Sequence, residues 1–354
     1  MNPHIEAVIG QPPPFDREAA QRAAERWSGI AKPLDSLGLL EKMVVGIAGL
    51  TGDHRYRIDR RAVLVLCADN GVVRQGVTQT GSEVTLALAR FLAQKNISVC
   101  RMAEVAHADV IGVDMGMNED LGLPELLARR VGAGTGDISE GPAMSPDQAI
   151  LAIRHGIDLV RSCRDEGYRI LATGEVGIGN TTSSSAMAAA LLGRPAAEVT
   201  GRGAGLSREG VRRKAAIVEK ALATNRPDPG DALDVLAKVG GFDIAGLVGV
   251  YLGGLMYRVP ILIDGLISSV AALAAVRLCP EAKTAMFATH VSAEPAAGWL
   301  LEALGLRPLI CAGMCLGEGT GAVAALPLLD MAYAVYDGML TYEEISIGRY
   351  QPLD

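Results

Sequence analysis

The sequence predicts an α/β protein whose parallel sheet is covered by helices on both faces. Two observations lead there. Continuous apolar runs of strand length alternate with helix-like runs along most of the 354 residues. The glycines and charges, moreover, gather where the strand-like runs end. Strands that are apolar throughout, rather than at alternate positions, are buried on both faces, and helical crossovers supply the cover. Ligands of such sheets bind outside the carboxyl ends of the strands.

Residues 61–68 form the first strand-like run, closed by the turn sequence Asp69-Asn70-Gly71. A helical period follows over 83–94, then a strand-like run at 108–114. Residues 146–166 read as a helix, with Ser145 as its N-cap. The next strand spans 168–172, a glycine loop 173–182, and a helix 183–192. Ser207 is placed to cap a helix over 208–224. The longest apolar stretch, 244–257, contains four glycines and stops at Arg258 and Pro260. It is shorter than the roughly 20 residues needed to span a bilayer, so it reads as a buried helix. Strand-like runs at 260–264 and 284–288 flank a helix at 266–278. Residues 1–60 and 325–354 look helical and are expected to pack together as a small subdomain beside a large α/β domain, 61–324.

Composition narrows the function classes. Aromatic residues are only 4% against 49% hydrophobic, so Ala, Val, Leu and Ile build the core. A net charge of −7 argues against a nucleic-acid partner, which would select a basic face. Residues 1–14 lack the basic start and apolar core of a signal peptide, and the six cysteines are scattered through apolar runs. The expectation is a cytoplasmic protein with reduced core thiols. Only Cys311 and Cys315 lie close in sequence, with no histidine to complete a zinc set, so no metal is expected.

The loop at 173–182 reads Thr-Gly-Glu-Val-Gly-Ile-Gly-Asn-Thr-Thr, between a strand and a helix. Such a loop brings backbone N–H groups and a helix N-terminus up to a phosphate, and here it also carries Glu175. A second loop, Leu316-Gly-Glu-Gly-Thr-Gly321, repeats the design around Glu318. Two glycine loops with one glutamate each suggest acid–base chemistry on a phosphorylated substrate. The plainer alternative for both glutamates is a carboxylate favoured at a helix start. A third glycine segment, Gly201-Arg-Gly-Ala-Gly-Leu-Ser207, precedes Arg212, Arg213 and Lys214, which are either solvated or in reach of an anion. His290, Ser292 and Glu294 sit after a late strand and are as readily satisfied loop residues as catalytic ones.

Together these segments resemble the nicotinate-nucleotide–dimethylbenzimidazole phosphoribosyltransferase family. The matching stretches include Lys32-Pro-Leu-Asp-Ser-Leu-Gly38, Ala68-Asp-Asn-Gly-Val72, Gly76-Val77 with Glu83-Val-Thr85, and Gly141-Pro-Ala-Met-Ser145. They continue with Gly174-Glu-Val-Gly-Ile-Gly-Asn-Thr-Thr182, Gly201-Arg-Gly203, Gly240-Gly-Phe-Asp-Ile-Ala245, Asp264-Gly265 and Leu316-Gly-Glu-Gly-Thr-Gly321. The resemblance implies a Rossmann-like sheet, a homodimer, no cofactor, and transfer of phosphoribose from nicotinate mononucleotide to 5,6-dimethylbenzimidazole, releasing nicotinate and giving α-ribazole 5′-phosphate. On the family pattern Glu318 matches the catalytic base. Glu175 matches a residue lining the nucleotide site and is a candidate to supply negative potential to the transition state. The nucleotide side would include Gly177, Gly179, Asn180, Thr181, Gly203, Lys214, Asp264 and Ser292. The base side would include Asn70, Thr78, Thr80 and Leu316.

The chain departs from the family pattern at 78–82. Thr-Gln-Thr-Gly-Ser stands where Ser-x-Tyr/Phe-Pro is common, and Asn70 stands where histidine is common. The native acceptor is therefore open among dimethylbenzimidazole, another benzimidazole, a purine and a phenol. Two other readings compete with a transferase. A dinucleotide-dependent oxidoreductase would need its glycines in a different register and an acidic strand end about 20 residues on. A nucleotide-binding sensor would need the phosphate loop without a base at Glu318.

Overall fold

The computed structural model describes residues 3–351. It opens with three helices, α1 (Pro3–Ile9), α2 (Arg17–Gly29) and α3 (Leu39–Thr51). The α/β part begins with β1 (Arg61–Ala68), α4 (Glu83–Ala93), α5 (Ser98–Val105), β2 (Asp109–Gly116), β3 (Leu126–Ala128), α6 (Pro146–Asp165) and β4 (Ile170–Val176). Four helices follow, α7 (Asn180–Leu192), α8 (Ala196–Val199), α9 (Arg208–Asn225) and α10 (Ala232–Val239). The chain closes with α11 (Phe242–Tyr257), β5 (Ile261–Ile263), α12 (Leu266–Leu278), β6 (Met286–Ala288), α13 (Ala297–Leu304) and α14 (Thr320–Gly338).

The six strands form one parallel sheet in the order β3-β2-β1-β4-β5-β6, the doubly wound order in which β1 and β4 adjoin at the centre. All of β1 is buried, as its uninterrupted apolar run requires. Alternate residues face opposite layers. Val63 points at the loop before α14, where a Cβ on Gly319 would lie 2.7 Å from it. Leu66 points at α11, where a Cβ on Gly246 would lie 2.5 Å from it.

Behind the sheet α6 and α11 pack backbone to backbone. A Cβ on Gly156 would stand 2.0 Å from the Gly246 carbonyl oxygen, and one on Gly249 would stand 2.0 Å from that of Ile153. Three of the glycines that interrupt the apolar run 244–257 are thus explained by close approach: Gly246 and Gly249 face α6 or the sheet, and Gly253 meets Val160 of α6. No helix among the described residues is long and apolar enough to cross a membrane. Ser145 caps α6 in a reciprocal capping box with Gln148.

The termini meet. Trp27 of α2 packs against Tyr336 of α14 with ring centroids 5.0 Å apart and planes tilted by 56°. The Arg26 guanidinium donates to the Tyr336 and Met339 carbonyls at 3.0 and 3.2 Å, satisfying the end of α14. Helix α1 lies instead against α6, with Ile5 fully buried. A single apolar core runs from Ile5 to Tyr336. The outermost residues of the expected subdomain, 1–2 and 352–354, lie outside the described residues.

Three expectations need correction. The strand read as 168–172 runs on to Val176, because Thr173, Gly174 and Glu175 continue the ladder opposite Leu64, Val65 and Leu66. Glu175 is therefore a strand-end residue and not a loop residue. The helix read as 183–192 starts at Asn180, since Gly179 at φ 94° ends the turn before it. Of the six thiols, Cys67, Cys100, Cys163 and Cys279 are buried, but Cys311 and Cys315 are exposed in the loop between α13 and α14.

Candidate active site

A cavity of about 360 Å³ opens at the carboxyl ends of β4 and β5, beside the point where the strand order reverses. The two glutamate segments read from the sequence meet there. A Cβ on Gly174 would lie 2.4 Å from the Glu318 carbonyl oxygen, and one on Gly317 would lie 2.6 Å from Glu175 Oε1. Each segment lacks side chains where the other crosses it.

Glu318 lies between two glycines in left-handed conformation, Gly317 and Gly319, and is itself left-handed, at φ 62°. For a residue with a Cβ this is strained backbone, which concentrates at functional sites. One carboxylate oxygen, Oε2, accepts the Val99 N–H at 3.1 Å from the first turn of α5. Burial raises the Glu318 pKa, opposed by the Val99 and Ser98 N–H groups. Glu175 accepts from Asn180 Nδ2, which also donates to Asp243 Oδ2 at 2.9 Å. Burial, and next the charge of Asp243, push the Glu175 pKa well up.

Asp264 lines the cavity, but its oxygens are taken up by the start of α14. Oδ1 accepts the Gly321 and Ala322 N–H groups at 2.8 and 3.1 Å, and Oδ2 accepts that of Gly319 at 3.2 Å. Burial raises its pKa, while His290, with Nδ1 3.9 Å away, opposes the rise. This is the helix-start role that competed with a functional one for the glutamates, carried by a different residue.

Of the residues expected on the nucleotide side, all but Lys214 line the cavity. Asn180 and Thr181 are the first residues of α7, at the positive end of its dipole. Lys214 does not line the cavity; it is fully buried behind Thr181, donating to Thr181 Oγ1 at 2.7 Å. Desolvation lowers its pKa to about 8, with Glu294 acting the other way. The Gly203 N–H donates to Glu294 Oε1 at 2.9 Å, and Ser292 Oγ accepts the Glu294 N–H at 3.3 Å. Gly177 and Gly179 present backbone to the cavity. Their missing side chains would strike protein instead: Ala68 O at 2.7 Å for Gly177, Val73 Cγ2 at 2.7 Å for Gly179.

Of the residues expected on the base side, Thr78, Thr80 and Leu316 line the cavity with Val77, Val84, Leu88 and Ile178. Asn70 does not; it is buried behind α7, accepting from Ser183 Oγ at 3.2 Å. Two side chains tie the loop at 76–82 to the segment at 201–213. Gln79 Nε2 donates to the Ala204 and Gly205 carbonyls, and Arg213 Nε donates to the Gly76 carbonyl at 2.9 Å. Among the described residues no group of three His, Cys, Asp or Glu is arranged to hold a metal ion. Sequence reasoning gave no role to Asp243 or Val99, and left Glu294 as a loop residue. The Gly240-Gly-Phe-Asp-Ile-Ala245 segment was the one available signal for Asp243.

Comparison with known proteins agrees along the whole chain. The family model described as Phosphoribosyltransferase matches residues 12–347. The nicotinate-nucleotide–dimethylbenzimidazole phosphoribosyltransferase of Acetivibrio thermocellus is 44% identical over 95% of this chain and 96% of its own. That of Roseiflexus sp. is 46% identical over 97% and 98%. The crystal structure of CobT from Thermus thermophilus superposes with a TM-score of 0.89 at 39% identity, covering 94% of this chain and all of the other. With both glutamate segments in contact across one cavity and relatives matched over nearly their whole length, the chain belongs to the nicotinate-nucleotide–dimethylbenzimidazole phosphoribosyltransferase family.

Proposed function

We propose that this protein transfers phosphoribose from nicotinate mononucleotide to 5,6-dimethylbenzimidazole, with Glu318 as the base. The observation that carries the assignment is Glu318 itself, held in strained backbone at the cavity with one oxygen fixed by Val99 and a raised proton affinity. The bond that breaks joins the anomeric carbon to a pyridinium nitrogen. Its electron pair neutralises that nitrogen, so nicotinate leaves without an acid. One benzimidazole nitrogen attacks from the opposite face, and the proton on the other passes to Glu318. A positioned base of this kind contributes about 10²–10⁴-fold. Inversion turns the β-linkage into the α-linkage of α-ribazole 5′-phosphate.

Glu175 supplies negative potential to the oxocarbenium-like transition state. The start of α7 takes the phosphate, and the Lys214 ammonium behind Thr181 adds positive potential. The apolar lining from Val77, Val84, Leu88 and Leu316 suits a flat aromatic acceptor. We also infer a cytoplasmic homodimer, supported by family resemblance and by exposed Met331, Met339, Leu340 and Ile347; sedimentation velocity tests the dimer.

The deciding experiment incubates wild type and Glu318→Gln with nicotinate mononucleotide and dimethylbenzimidazole, with adenine and p-cresol in parallel, and analyses products by mass spectrometry. Wild type is expected to release nicotinate in step with an α-ribosyl phosphate. The variant should lose about 10²–10⁴-fold in kcat while binding nucleotide normally. Nucleotide binding without nicotinate release by wild type would favour a sensor and overturn the assignment.

A further inference from the structure

The reaction above uses the carboxylates that face the cavity and leaves one wholly buried carboxylate, Asp243, without a part. Asp243 is the only charged residue of α11, a helix otherwise apolar from Phe242 to Tyr257, and it has no exposure to solvent. A first-turn carboxylate is favoured by the helix dipole, but that needs neither burial nor an outside partner. Here both hydrogens of one amide are committed: Asn180 Nδ2 donates to Asp243 Oδ2 and to Glu175 Oε2. The opposite flip of Asn180 would set its carbonyl oxygen against two carboxylates, so the amide has one orientation. The chain clears space for this bridge. A Cβ on Gly177 would lie 3.0 Å from Asp243 Oδ2 and 3.2 Å from Asn180 Nδ2, and one on Gly241 would lie 2.5 Å from Asp243 Oδ1.

We propose that Asp243 is a positioning residue for the transfer reaction: through Asn180 it holds the Glu175 carboxylate at the cavity and sets how readily that carboxylate carries charge. The proposal rests on the catalytic reading of Glu175. Three carboxylates face Glu175, namely Asp243 from α11, Asp264 after β5 and Glu318 before α14; the Asn180 amide acts against them. Asp69, after β1, faces Asp243, and Asp114 of β2 lies with these groups around Cys67. Basic side chains act one step away, His290 on Asp264, Lys214 on Thr181 and Arg130 on Asp114. Removing the charge of Asp243 therefore eases ionisation of Glu175, whereas removing the Asn180 amide hinders it.

The test compares Asp243→Asn, Asn180→Ala and the double variant with wild type. Initial rates are followed across pH at saturating nicotinate mononucleotide and dimethylbenzimidazole, with nucleotide affinity by calorimetry. Each single variant is expected to lose about ten- to a hundredfold in kcat; nucleotide affinity should stay within about twofold of wild type in Asp243→Asn, whereas Asn180→Ala, at the start of α7, is read on kcat and its pH limb alone. The acid limb of the kcat profile should move to lower pH in Asp243→Asn and to higher pH in Asn180→Ala. The double variant should lose little more than the worse single variant, since the two act through one bridge. A residue that only stabilises the fold would lower the melting temperature and move neither limb. Unmoved limbs, or additive losses in the double variant, overturn the proposal. Should Asp243→Asn not fold, the rise in the acid limb of Asn180→Ala still decides whether the bridge tunes Glu175. Absence of nicotinate release by wild type is a different failure, that of the phosphoribosyltransfer reading itself.

Discussion

Asp264→Ala probes what fixes the Glu318 loop. The substitution deletes a buried carboxylate that accepts three backbone N–H groups, those of Gly319, Gly321 and Ala322. An orphaned buried donor costs about 1–3 kcal/mol, and relief of the desolvated charge offsets part of the sum. A net loss of about 4 kcal/mol follows from those ranges. With unfolding entropy of roughly 2.1 cal/mol/K per residue over 354 residues, 1 kcal/mol shifts the melting temperature by about 1.3 °C. Scanning calorimetry at pH 7 should therefore show a fall of about 5 °C. Asp264→Asn keeps an acceptor oxygen and should fall by about half as much. Because Glu318 lies between Gly317 and Gly319, kcat should drop in both variants through a displaced base. A melting temperature within about 1 °C of wild type, together with lost nucleotide affinity, would refute the reasoning. It would make Asp264 a ligand to the nucleotide instead of the anchor of α14.

Two further outcomes are expected. Lys214 has a folded-state pKa of about 8 against 10.5 when exposed, so its contribution to stability is lowest below pH 8 and recovers as pH rises toward 10.5. Lys214→Met should thus melt about 3 °C above wild type at pH 7 and lose that advantage by pH 10.5; a gap constant across the window in thermal scans would contradict the burial penalty. Gln79→Ala removes side-chain bonds to the Ala204 and Gly205 carbonyls and should raise the acceptor KM about fivefold with little effect on nucleotide affinity. Initial rates at varied acceptor check this, and an unchanged KM would show that the tie between the two loops does not shape the acceptor side.

The parts of the fold with strong local signals were legible. The uninterrupted apolar run at 61–68 is β1, and the run at 266–278 is α12, residue for residue. Short elements were not. Strand β3 has three residues and joins the sheet only at its edge, and α5, α10 and α13 have eight each, too few for a period to emerge. The extension of β4 to Val176 was hidden because Gly174 and Glu175 read as loop chemistry, while pairing with β1 overrides that preference. The same holds at the site. Glu175 and Glu318 stand out by their glycine neighbours, but the Val99 N–H that fixes Glu318 is distant in sequence and carries no side-chain signature. Lys214 announced itself as one of a surface-like basic run, and only tertiary packing turns it inward beside exposed Arg212 and Arg213.

The seam between α6 and α11 bears on how this enzyme can change. Where Gly156 meets Gly246 and Gly249, the two backbones are in contact and no side chain can act as a spacer. A substitution there would have to part the helices, so that face tolerates almost no drift and should exchange its amide hydrogens last. The loop at 76–82, proposed above to face the acceptor, is by contrast fastened by side-chain bonds from Gln79 and Arg213. If residues 78–82 face the acceptor, selection for a new base can rewrite them with little effect on the core, whereas Val77 beside them is buried in it.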